Sequence, residues 1–387
     1  MTDQNHSLAG KTILQALPAL KSGGLERGTV ETARAIGNAG GTALVVSAGG
    51  QMVREVERTG ARHITLDISK KGPLAMRSNA RKLAKILRDE QVDLVHARSR
   101  APAWVVKGAA ARVNIPWLAT WHGTHLGNYF KRRYNRALVD GAKVIAISRY
   151  VESVIRDQFP DLADDRIVHI PRGVDLDQFQ PEAIPGGRII KLAEDWKVPD
   201  GRPLLLMPGR LSAKKGQLDV IEAMAKVRDA LGETFVCVII GDDQGNVKYR
   251  QSLEARIEKL NLWPVMRLAG HCNDMPAALK LADIVLAPTR APEPFGRIPL
   301  EAGAMQALTI AADHGGFRET IVDGTTGYLF KPGDIDDLAA KSITALGLSD
   351  DERHDLAIKA QTHIRDNFAL TKMTDSTIAV YRALLGL

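Results

Sequence analysis

The sequence has very little cysteine and no long hydrophobic run. Among its 387 residues only Cys237 and Cys272 are cysteines. Neither has a neighbouring Cys or His at metal-ligand spacing, so neither a disulfide framework nor a zinc site is supported. No apolar stretch reaches the ~18 residues that a membrane-spanning helix needs, and residues 1–11 lack the apolar core of a signal peptide. We therefore expect a cytoplasmic protein.

The composition argues against an unfolded or fibrous chain. Hydrophobic residues make up 45% and charged residues 25%, which is ordinary for globular proteins, and the length suggests two domains at about 150 residues each. Residues 1–150 carry 24 basic and 10 acidic side chains, a net charge of +14, whereas residues 151–387 carry 28 and 35, a net charge of −7. A basic N-terminal half favours nucleic acid, an anionic membrane surface or an acidic acceptor as partner.

Short apolar runs alternate with helix-length amphipathic segments along the chain, a pattern typical of βα units and parallel sheets. In the first half the predicted strands are Thr12–Leu17, Thr42–Ser47, His63–Leu66, Leu94–His96, Trp117–Thr120 and Val144–Ile147. In the second half they are Leu204–Met207, Phe235–Ile240, Val265–Leu268, Ile284–Ala287, Leu308–Ala311 and Gly327–Phe330. Two series of strands predict two α/β lobes.

Proline and glycine cluster between the two series, over Ile170–Pro199, which predicts a loop and an interdomain crossover. We place the boundary near residue 185, between a first domain of residues 1–185 and a second of residues 186–368. After Pro332 the predicted helices are Asp334–Leu346, Asp350–Phe368 and Thr371–Leu385. Ligands of open α/β sheets bind at the carboxyl ends of the strands, so two facing lobes predict a ligand in the cleft between them.

Two glycines follow the first predicted strand, in the segment LPALKSGGLERG. Gly23 and Gly24 precede a helix predicted to begin near Glu26, and backbone without side chains at a helix N-terminus lets a phosphate approach closely. A flexible turn is the alternative interpretation, because glycine pairs mark turns in general. The spacing does not match a G-x-G-x-x-G fingerprint, and the sequence contains no P-loop.

Two cations follow the strand Leu204–Met207, in the segment GRLSAKKG. Arg210 and Lys215 would lie between the carboxyl end of this strand and a helix that begins near Gln217. There an arginine can bind a diphosphate through two hydrogen bonds and a lysine can bind it as a point charge. Solvated surface charge is the alternative interpretation.

Two glutamates lie in the segment APEPFGRIPLEAGAMQAL, after the fourth strand of the second series. Glu293 and Glu301 are separated by Phe295 and Gly296, and a helix that begins near Arg297 would place one in the loop and the other in the second turn. Carboxylates accept hydrogen bonds from sugar hydroxyls, and the helix N-terminus near Gly296 would add donors for a phosphate. A capping acid and a solvent-facing helix residue are the alternative interpretations.

These motifs occur in a particular order. The Gly-Gly loop, the GR-x4-KG loop, the segment EPFGRIPLE and the downstream GGFRETIVDGTTGYLFKPGD closely resemble the retaining glycosyltransferases of glycosyltransferase family 4, among them hexosyltransferases of lipopolysaccharide core and cell-surface glycans. The resemblance spans almost the whole chain and is densest over Leu204–Leu338. It implies the α/β GT-B fold, in which two Rossmann-like domains face each other across a deep interdomain cleft.

The resemblance implies roles for the residues that bind the donor. Arg210 and Lys215 would bind the donor diphosphate, and Gly23 and Gly24 would approach it from the first domain through their backbone. Glu293 would hold hydroxyls of the transferred sugar. The second domain would therefore bind the nucleotide-sugar and the first would bind the acceptor.

Further roles follow from the same resemblance. The backbone around Phe295 and Gly296 would meet the phosphates, and Glu301 would hold the ribose. In TWHGTH, His122 matches the family's histidine near the sugar and the acceptor, with His125 as the alternative. His122, Arg210, Lys215 and Glu293 would thus be the catalytic set.

The segment IPRGVDLDQFQP at Ile170–Pro181 matches the family's crossover, and a helix over about 369–387 is expected to return to the first domain. Two departures occur. Arg172 occupies a position where the family often has Asn. The family usually has a turn of small residues that contains Gly-Pro after the second glutamate, and this chain has Gln306–Thr309 there instead. These departures weaken an assignment to a particular subfamily.

Neither donor loop contains an Asp-x-Asp metal signature. We therefore expect no obligatory metal ion and no cofactor beyond the nucleotide-sugar co-substrate. Arg210, Lys215 and helix termini would offset the charge of the diphosphate instead.

The first domain carries clustered basic residues that suit an anionic acceptor. The segments HARSRAPAW and NYFKRRYNR supply Arg98, Arg100, Lys131, Arg132 and Arg133, with aromatic residues interleaved in the second segment. Basic and aromatic residues on one helix suit an anionic membrane interface. The same composition suits single-stranded nucleic acid, and a solvated helix face is the remaining alternative. We expect an anionic glycolipid or saccharide and no nucleic acid.

The resemblance thus predicts transfer of a hexose, with mannose as a candidate, to a hydroxyl of a cell-envelope glycan such as the lipopolysaccharide core. From the basic and aromatic residues of the first domain we expect a cytoplasmic protein that associates with the inner face of the cytoplasmic membrane. A nucleotide-sugar epimerase, a phosphorylase, a nucleic-acid-binding protein and a catalytically silent scaffold are the alternatives.

Overall fold

The computed structural model describes residues 7–21, 23–125 and 127–387, so the first six residues of the segment 1–11 considered above lie outside it. The described chain forms two compact units. The first unit consists of two segments, the described residues up to Arg172 and the C-terminal residues Thr371–Leu387. The second unit is Gly173–Leu370. Each unit contains one parallel sheet whose strands are joined by helices, as the alternating pattern predicts.

The first unit contains seven strands. They are β1 (Thr12–Ala16), β2 (Thr42–Ser47), β3 (Arg62–Thr65), β4 (Leu94–Ala97), β5 (Trp117–Trp121), β6 (Lys143–Ala146) and β7 (Ile167–His169). Its helices are α1 (Gly24–Asn38), α2 (Val53–Glu57), α3 (Pro73–Asp89), α4 (Arg100–Val113), α5 (Tyr129–Asn135) and α6 (Arg149–Gln158). The strand order is β3-β2-β1-β4-β5-β6-β7.

The second unit contains six strands. They are β8 (Leu204–Pro208), β9 (Val236–Ile240), β10 (Met266–Gly270), β11 (Ile284–Ala287), β12 (Leu308–Ala312) and β13 (Tyr328–Phe330). Its helices are α7 (Gly186–Asp195), α8 (Gln217–Leu231), α9 (Val247–Lys259), α10 (Met275–Leu281), α11 (Arg297–Ala304), α12 (Phe317–Thr320), α13 (Ile335–Leu346) and α14 (Asp350–Phe368). The strand order is β10-β9-β8-β11-β12-β13, and a last helix, α15 (Leu370–Leu385), continues into the first unit.

The central strands are apolar along their whole length because both faces of each sheet are covered. Every residue of β8 and β9 is buried, and the two strands pair in parallel with Leu205 opposite Cys237. Val220 from α8 and Leu338 from α13 belong to the same core cluster. Continuous burial explains why these strands read as unbroken apolar runs rather than alternating ones.

The change from the first unit to the second occurs between Arg172 and Gly173 rather than near residue 185. The reason is a backbone pairing inside the second unit. The amide of Val174 donates to the carbonyl of Phe368, and the amide of Leu370 donates to the carbonyl of Val174. The chain therefore joins the second unit before the proline- and glycine-rich segment ends.

Two elements differ from the sequence prediction. β7 was not predicted, because three residues at a sheet edge are too few to produce a recognisable period. α7 lies inside Ile170–Pro199, which was predicted as loop, because its two leading glycines follow Pro185 and only the remaining residues have helical composition. Arg188 of α7 forms an ion pair with Asp274, Nη2 to Oδ1 2.5 Å, which joins α7 to the start of α10.

The last helix packs on the first sheet through a buried hydrogen bond. The Tyr381 hydroxyl lies 2.6 Å from Nδ1 of His96 on β4, and the other ring nitrogen of His96 lies 2.7 Å from Oγ1 of Thr120 on β5. Burial and the nearby Arg98 lower the pKa of His96 well below its usual value, so the ring is neutral. A neutral ring with both nitrogens bonded fixes the helix to the sheet.

We expect Tyr381→Phe to destabilise the first unit by about 1–3 kcal/mol, because one nitrogen of the buried His96 ring loses its partner. At this domain size each kcal/mol lowers the unfolding temperature by about 2–4 °C. Tyr129→Phe is the matched control, since Tyr129 is 68% exposed, and it should change stability by less than about 0.5 kcal/mol. Equal unfolding temperatures for the two variants would contradict this account.

Candidate functional site

In each unit the parallel strands present their carboxyl ends along one edge of the sheet, and the loops that leave this edge carry the candidate residues. In the second unit the relevant loops follow β8, β11 and β12. In the first unit they follow β1, β4, β5 and β7. Loops from neighbouring strands at one edge can meet even when they are distant in sequence.

Lys215 and Glu293 are in direct contact at this edge of the second sheet. Nζ of Lys215 lies 2.5 Å from Oε1 of Glu293, although the residues are 78 positions apart. Lys215 ends a short 3-10 turn, and Gly216 follows it with φ 81 as the N-cap of α8. A Cβ at Gly216 would overlap the carbonyl oxygen of Pro288, so only glycine permits this close approach to the loop after β11.

A second ion pair joins the loop after β11 to the first turn of α8. Nε of Arg290 donates to Oδ2 of Asp219 at 2.8 Å, and Asp219 is only 2% exposed. The backbone amide of Arg290 also donates to the carbonyl of Lys214 at 2.9 Å. These bonds fix the backbone on both sides of the Lys215–Glu293 contact.

The loop after β12 packs against the backbone of Glu293 and Phe295. The amide of Gly316 donates to the carbonyl of Glu293 at 2.9 Å. A Cβ at Gly315 would overlap the Glu293 backbone, and one at Gly316 would overlap Phe295. This supporting role of the GGFRET segment was not predicted, and its signal in the sequence is the glycine pair itself.

Phe295, Gly296 and Glu301 lie at the start of α11. Phe295 is 2% exposed and packs edge-to-face on Phe368, with ring centroids 5.8 Å apart, so its side chain is a core residue. Gly296, with φ 84, is the N-cap of α11. Glu301 is 8% exposed, and its Oε1 lies 2.9 Å from Nη2 of Arg297. Glu293 and Glu301 therefore have different cationic neighbours.

Arg210 is exposed and its Nη1 donates to Oε1 of Gln244 at 3.1 Å. Beside this loop lies a cavity of about 240 Å³ at the ends of β8, β9 and β10. It is lined by Leu211, Ile239, Gly241, Asp242, Asp243, Arg250, Leu268, Gly270 and His271. The second unit therefore has a cavity with apolar, acidic and basic lining residues close to its cationic loop.

In the first unit the glycine loop is held by Arg172. Gly23 is the N-cap of α1 with φ 145, and Gly24 is the first helical residue. Nη2 of Arg172 donates to the carbonyl oxygen of Gly24. A Cβ at Gly28 would overlap the Arg172 guanidinium, so this side chain lies directly against the first turn of α1.

His122 and His125 follow β5. Burial, and then the positive charges of Arg98 and Arg172, lower the pKa of His122 well below its usual value, so its ring is neutral. Nε2 of His122 is buried and has no hydrogen-bond partner among the described residues. His125 has φ 42, and its carbonyl accepts a hydrogen bond from Asn135 at 2.7 Å.

Arg98 was expected to face an acceptor or a membrane surface. The expectation of a membrane-facing position is wrong. Arg98 is 3% exposed, because its position directly after β4 turns it into the unit rather than onto its surface. Arg100, at the start of α4, is partly exposed; its Nη1 donates to Oδ1 of Asn135 and its guanidinium lies over the Tyr134 ring, 5.7 Å from the centroid.

The remaining basic residues are on the surface. Lys131, Arg132 and Arg133 of α5 are exposed beside Tyr129 and Phe130, which are 68% and 77% exposed. A second basic face, which was not predicted from the sequence, lies on and before α3. It consists of the exposed Lys70, Lys71, Arg77, Arg81, Lys82, Lys85 and Arg88 around Leu74, which is 85% exposed. Its signal in the sequence is the helical spacing of these cations.

Within the described ranges, no group of three or more His, Cys, Asp or Glu side chains is placed to hold a metal ion. In the same part of the chain, no helix combines the length and apolar character needed to span a membrane. Cys237 is buried, and burial raises the pKa of its thiol to about 12. It is a core residue rather than a nucleophile.

We expect Gly315→Ala to destabilise the second unit more than Gly324→Ala does. Both glycines have positive φ, 60 and 70, so each substitution carries a similar backbone cost of about 1–2 kcal/mol. Only Gly315 would also push a Cβ into the Glu293 backbone, which should add about 1–3 kcal/mol, whereas Gly324 faces open space. Denaturant unfolding measures both variants, and equal losses would show that the loop after β12 does not support Glu293.

We expect His125 to make the protein less stable in mild acid. Burial, and then Arg100, lower the pKa of His125 to about 4. Between about pH 6.5 and pH 4 the unfolded chain therefore binds a proton that the folded chain does not, so the free energy of unfolding falls as the pH falls. His125→Asn, which tolerates the same backbone conformation, should reduce the loss of unfolding temperature between pH 7 and pH 5. An unchanged pH dependence would be the opposite result.

Two family profiles match consecutive parts of the chain. "Glycosyltransferase Family 4" matches residues 22–178, and "Glycosyl transferases group 1" matches residues 189–363. The two matches correspond closely to the two sheets. Both describe glycosyl transfer.

Individual relatives agree with the profiles. The crystal structure of a glycosyltransferase from Rickettsia africae ESF-5 is 34% identical, with a TM-score of 0.90, covering 97% of this chain and 98% of that one. A GDP-mannose-dependent alpha-(1-6)-phosphatidylinositol monomannoside mannosyltransferase from Mycolicibacterium smegmatis is 27% identical over 66% of this chain and 68% of the relative. The lipopolysaccharide 1,2-N-acetylglucosaminetransferase of Salmonella typhimurium is 26% identical over 59% of this chain and 58% of the relative. The chain therefore belongs to the glycosyltransferases of the GT-B fold, with a family 4 domain followed by a group 1 domain.

Proposed function

We propose that this glycosyltransferase transfers a hexose, with mannose as a candidate, from a nucleotide-diphosphate sugar to a hydroxyl of an anionic cell-envelope glycan or glycolipid such as the lipopolysaccharide core. The anomeric configuration would be retained. The observation that carries the proposal is the contact between Lys215 and Glu293 at the edge of the second sheet.

This contact has the chemistry that a sugar diphosphate requires. The sugar and the phosphates of such a donor are one bond apart, so a cation for the phosphates and an acceptor for the sugar hydroxyls must be neighbours. Lys215 and Glu293 meet that condition. On donor binding, Lys215 pairs with a phosphate oxygen and Glu293 accepts hydrogen bonds from sugar hydroxyls.

Other groups of the second unit complete the donor site. Arg210 is exposed and donates a hydrogen bond to the neutral amide of Gln244, so it can turn to a phosphate at little cost. The amides after Phe295 and Gly296, at the start of α11, bind phosphate oxygens. Glu301 accepts the ribose hydroxyls, and the neighbouring cavity takes the nucleoside. Arg210, Lys215 and the helix terminus offset the diphosphate charge without an obligatory metal ion.

In the first unit, Gly23 and Gly24 present helix N-terminal amides to a phosphate. His122 is neutral, and its Nε2 has no hydrogen-bond partner among the residues that the structure describes. The ring can therefore form a hydrogen bond with a sugar or acceptor hydroxyl without adding charge. In the reaction, the bond between the sugar and the diphosphate breaks while the acceptor hydroxyl attacks from the same face. A donor phosphate oxygen takes the hydroxyl proton, and the cations stabilise the departing diphosphate.

Two surfaces suit an anionic acceptor held in a membrane. The exposed aromatic and basic residues of α5 and the basic face of α3 supply cations that each contribute about 1 kcal/mol near an anionic bilayer. The two relatives described above act on a phosphatidylinositol mannoside and on lipopolysaccharide. We propose that the protein contacts the inner face of the cytoplasmic membrane through these surfaces.

The donor and the reaction are tested together. UDP-, GDP- and ADP-sugars are screened by thermal shift, and release of nucleoside diphosphate is measured with and without rough lipopolysaccharide or phosphatidylinositol vesicles. Release that depends on an acceptor, with the donor anomer preserved in the product by NMR, supports the proposal. An epimerised sugar formed without acceptor indicates an epimerase. A gel shift of single-stranded nucleic acid with a steep salt dependence indicates the nucleic-acid alternative.

We expect Lys215→Ala to reduce turnover by about 100-fold or more, because one preorganised charge donor to the leaving group is lost. Lys214→Ala is the matched control, since Lys214 is the preceding residue, is exposed, and contacts the loop after β11 through its backbone carbonyl. Its turnover should remain close to that of the wild type. Near-normal turnover of Lys215→Ala, with an unchanged unfolding temperature, would reject the assignment.

A further inference from the structure

The cationic loop of the second unit, residues 209–216, is followed by a glutamine that the proposed reaction does not use. Gln217 is the first residue of α8 and is 0% exposed. Glutamine is mostly an exposed residue in globular proteins, and a carboxamide that is buried without hydrogen-bond partners is costly. The burial of Gln217 therefore depends on hydrogen bonds inside the unit.

The partners of Gln217 include backbone groups of the loop that carries Arg210 and Lys215. Nε2 of Gln217 donates to the carbonyl oxygen of Arg210 at 3.0 Å. The amide of Ser212 donates to Oε1 of Gln217 over a longer distance, 3.4 Å. The amide of Lys215 in turn donates to the carbonyl of Ser212 at 2.8 Å. One carboxamide thus holds the backbone on both sides of Leu211, and Lys215 is bonded to the same turn.

The loop is also held by backbone bonds to the neighbouring strand and its loop. The amides of Gly209 and Leu211 donate to carbonyls at and after the end of β9, at 2.9 and 3.0 Å. These two residues flank Arg210, whose own carbonyl is bonded to Gln217. The main chain at Arg210 is therefore fixed, whereas its side chain is exposed.

Tyr249 of α9 keeps the carboxamide of Gln217 in one orientation. The Tyr249 hydroxyl donates to Oε1 of Gln217 at 3.2 Å. Burial, and then the charge of Asp219, raise the pKa of Tyr249, so the hydroxyl keeps the proton that it donates. If the carboxamide turned over, its NH2 group would meet the amide of Ser212, which can only donate. The orientation in which Nε2 bonds the carbonyl of Arg210 is therefore the stable one.

A fixed backbone matters for the binding of a charged ligand. Arg210 and Lys215 both have long side chains, and the main chain that carries them sets the point from which each side chain extends. A loop that becomes ordered only when a diphosphate arrives loses binding free energy to the loss of its conformational freedom. A loop that is already held does not incur this loss.

We propose that Gln217 is a positioning residue of the donor site, whose buried carboxamide holds the cationic loop in the conformation that presents Arg210 and Lys215 to the diphosphate. Tyr249 orients this carboxamide. The inference rests on the proposed function, because that function supplies the diphosphate. Gln217 acts through the backbone of the loop and does not itself touch the donor.

The first measurement is amide hydrogen exchange of the full chain without ligand. In Gln217→Met, exchange at Ser212 and Lys215 should be faster by about 5-fold or more, because the loop loses two hydrogen bonds. Gln361→Met is the matched control. Gln361 of α14 also donates to a backbone carbonyl, that of Ala304 at 3.1 Å, so its replacement removes a similar bond and should leave exchange in the loop unchanged.

The second measurement is the affinity for UDP and GDP, by calorimetry. Gln217→Met should lower the affinity for the nucleoside diphosphate that the wild type binds by about 10-fold or more, and Tyr249→Phe should lower it by about 2- to 10-fold, since it removes one neutral hydrogen bond. Tyr328→Phe is the control for Tyr249→Phe. Tyr328 lies on β13, an edge strand of the same sheet, and its variant should bind like the wild type.

A double-mutant cycle with Arg210 separates positioning from a general effect on folding. If Gln217 acts through Arg210, adding Gln217→Met to Arg210→Ala should lower the diphosphate affinity further by less than about 3-fold. A glutamine with a purely structural role would lower the affinity by the same factor in both backgrounds.

Three results would each overturn the inference: wild-type exchange in the loop of folded Gln217→Met, an unchanged diphosphate affinity of that variant, and equal factors in the two backgrounds. If Gln217→Met does not fold, Tyr249→Phe decides the question. Its loop exchange should rise and its diphosphate affinity should fall, and wild-type values of both would overturn the inference.

The same experiments distinguish this inference from the proposed function. If Lys215→Ala loses turnover while Gln217→Met exchanges and binds like the wild type, the proposed function stands and this inference fails. If Gln217→Met loosens the loop but no nucleotide-sugar binds to or reacts with the wild type, the role of Gln217 in holding the loop stands and the proposed function fails.

Discussion

The ion pair between Lys215 and Glu293 is the contact on which the site of the second unit depends. It forms because two parallel strands, β8 and β11, lie side by side and end at the same edge. Gly216 and Gly315 then allow backbone to approach where any side chain would collide. The contact is partly exposed, so its contribution to stability is small. Its importance is that it holds the Lys215 ammonium group beside the Glu293 carboxylate at the edge of the sheet.

The two units bury side chains of opposite charge. In the second unit the buried carboxylates Asp219 and Glu301 each have an arginine partner. In the first unit burial lowers the pKa of the Arg98 guanidinium, and Tyr381 and Glu31 oppose that effect. Burial, and then the nearby arginines, keep His122 uncharged. The first unit therefore has basic side chains in its interior as well as on the surface of α3 and α5.

Most of the architecture could be predicted from the sequence, because a strand that is buried on both faces has a continuous run of apolar residues. β2 and β11 were predicted at their observed bounds, and β8 within one residue. β7 and α7 were not, because a three-residue edge strand and a helix that starts with two glycines resemble loops in composition. The unit boundary at Arg172 depends on backbone pairing to Phe368, which has no local sequence signal.

The sequence alone determined the fold class, the family and the order of the motifs that carry Arg210, Lys215 and Glu293, because these depend on local composition and spacing. Tertiary structure decided which of these residues meet, because contacts between loops from different strands depend on how the sheet orders its strands. It also decided that Arg98 is buried rather than facing a membrane. Burial of a side chain depends on which elements pack against it. For Arg98 these elements include α15, which is more than 270 residues away in the sequence and therefore leaves no local signal.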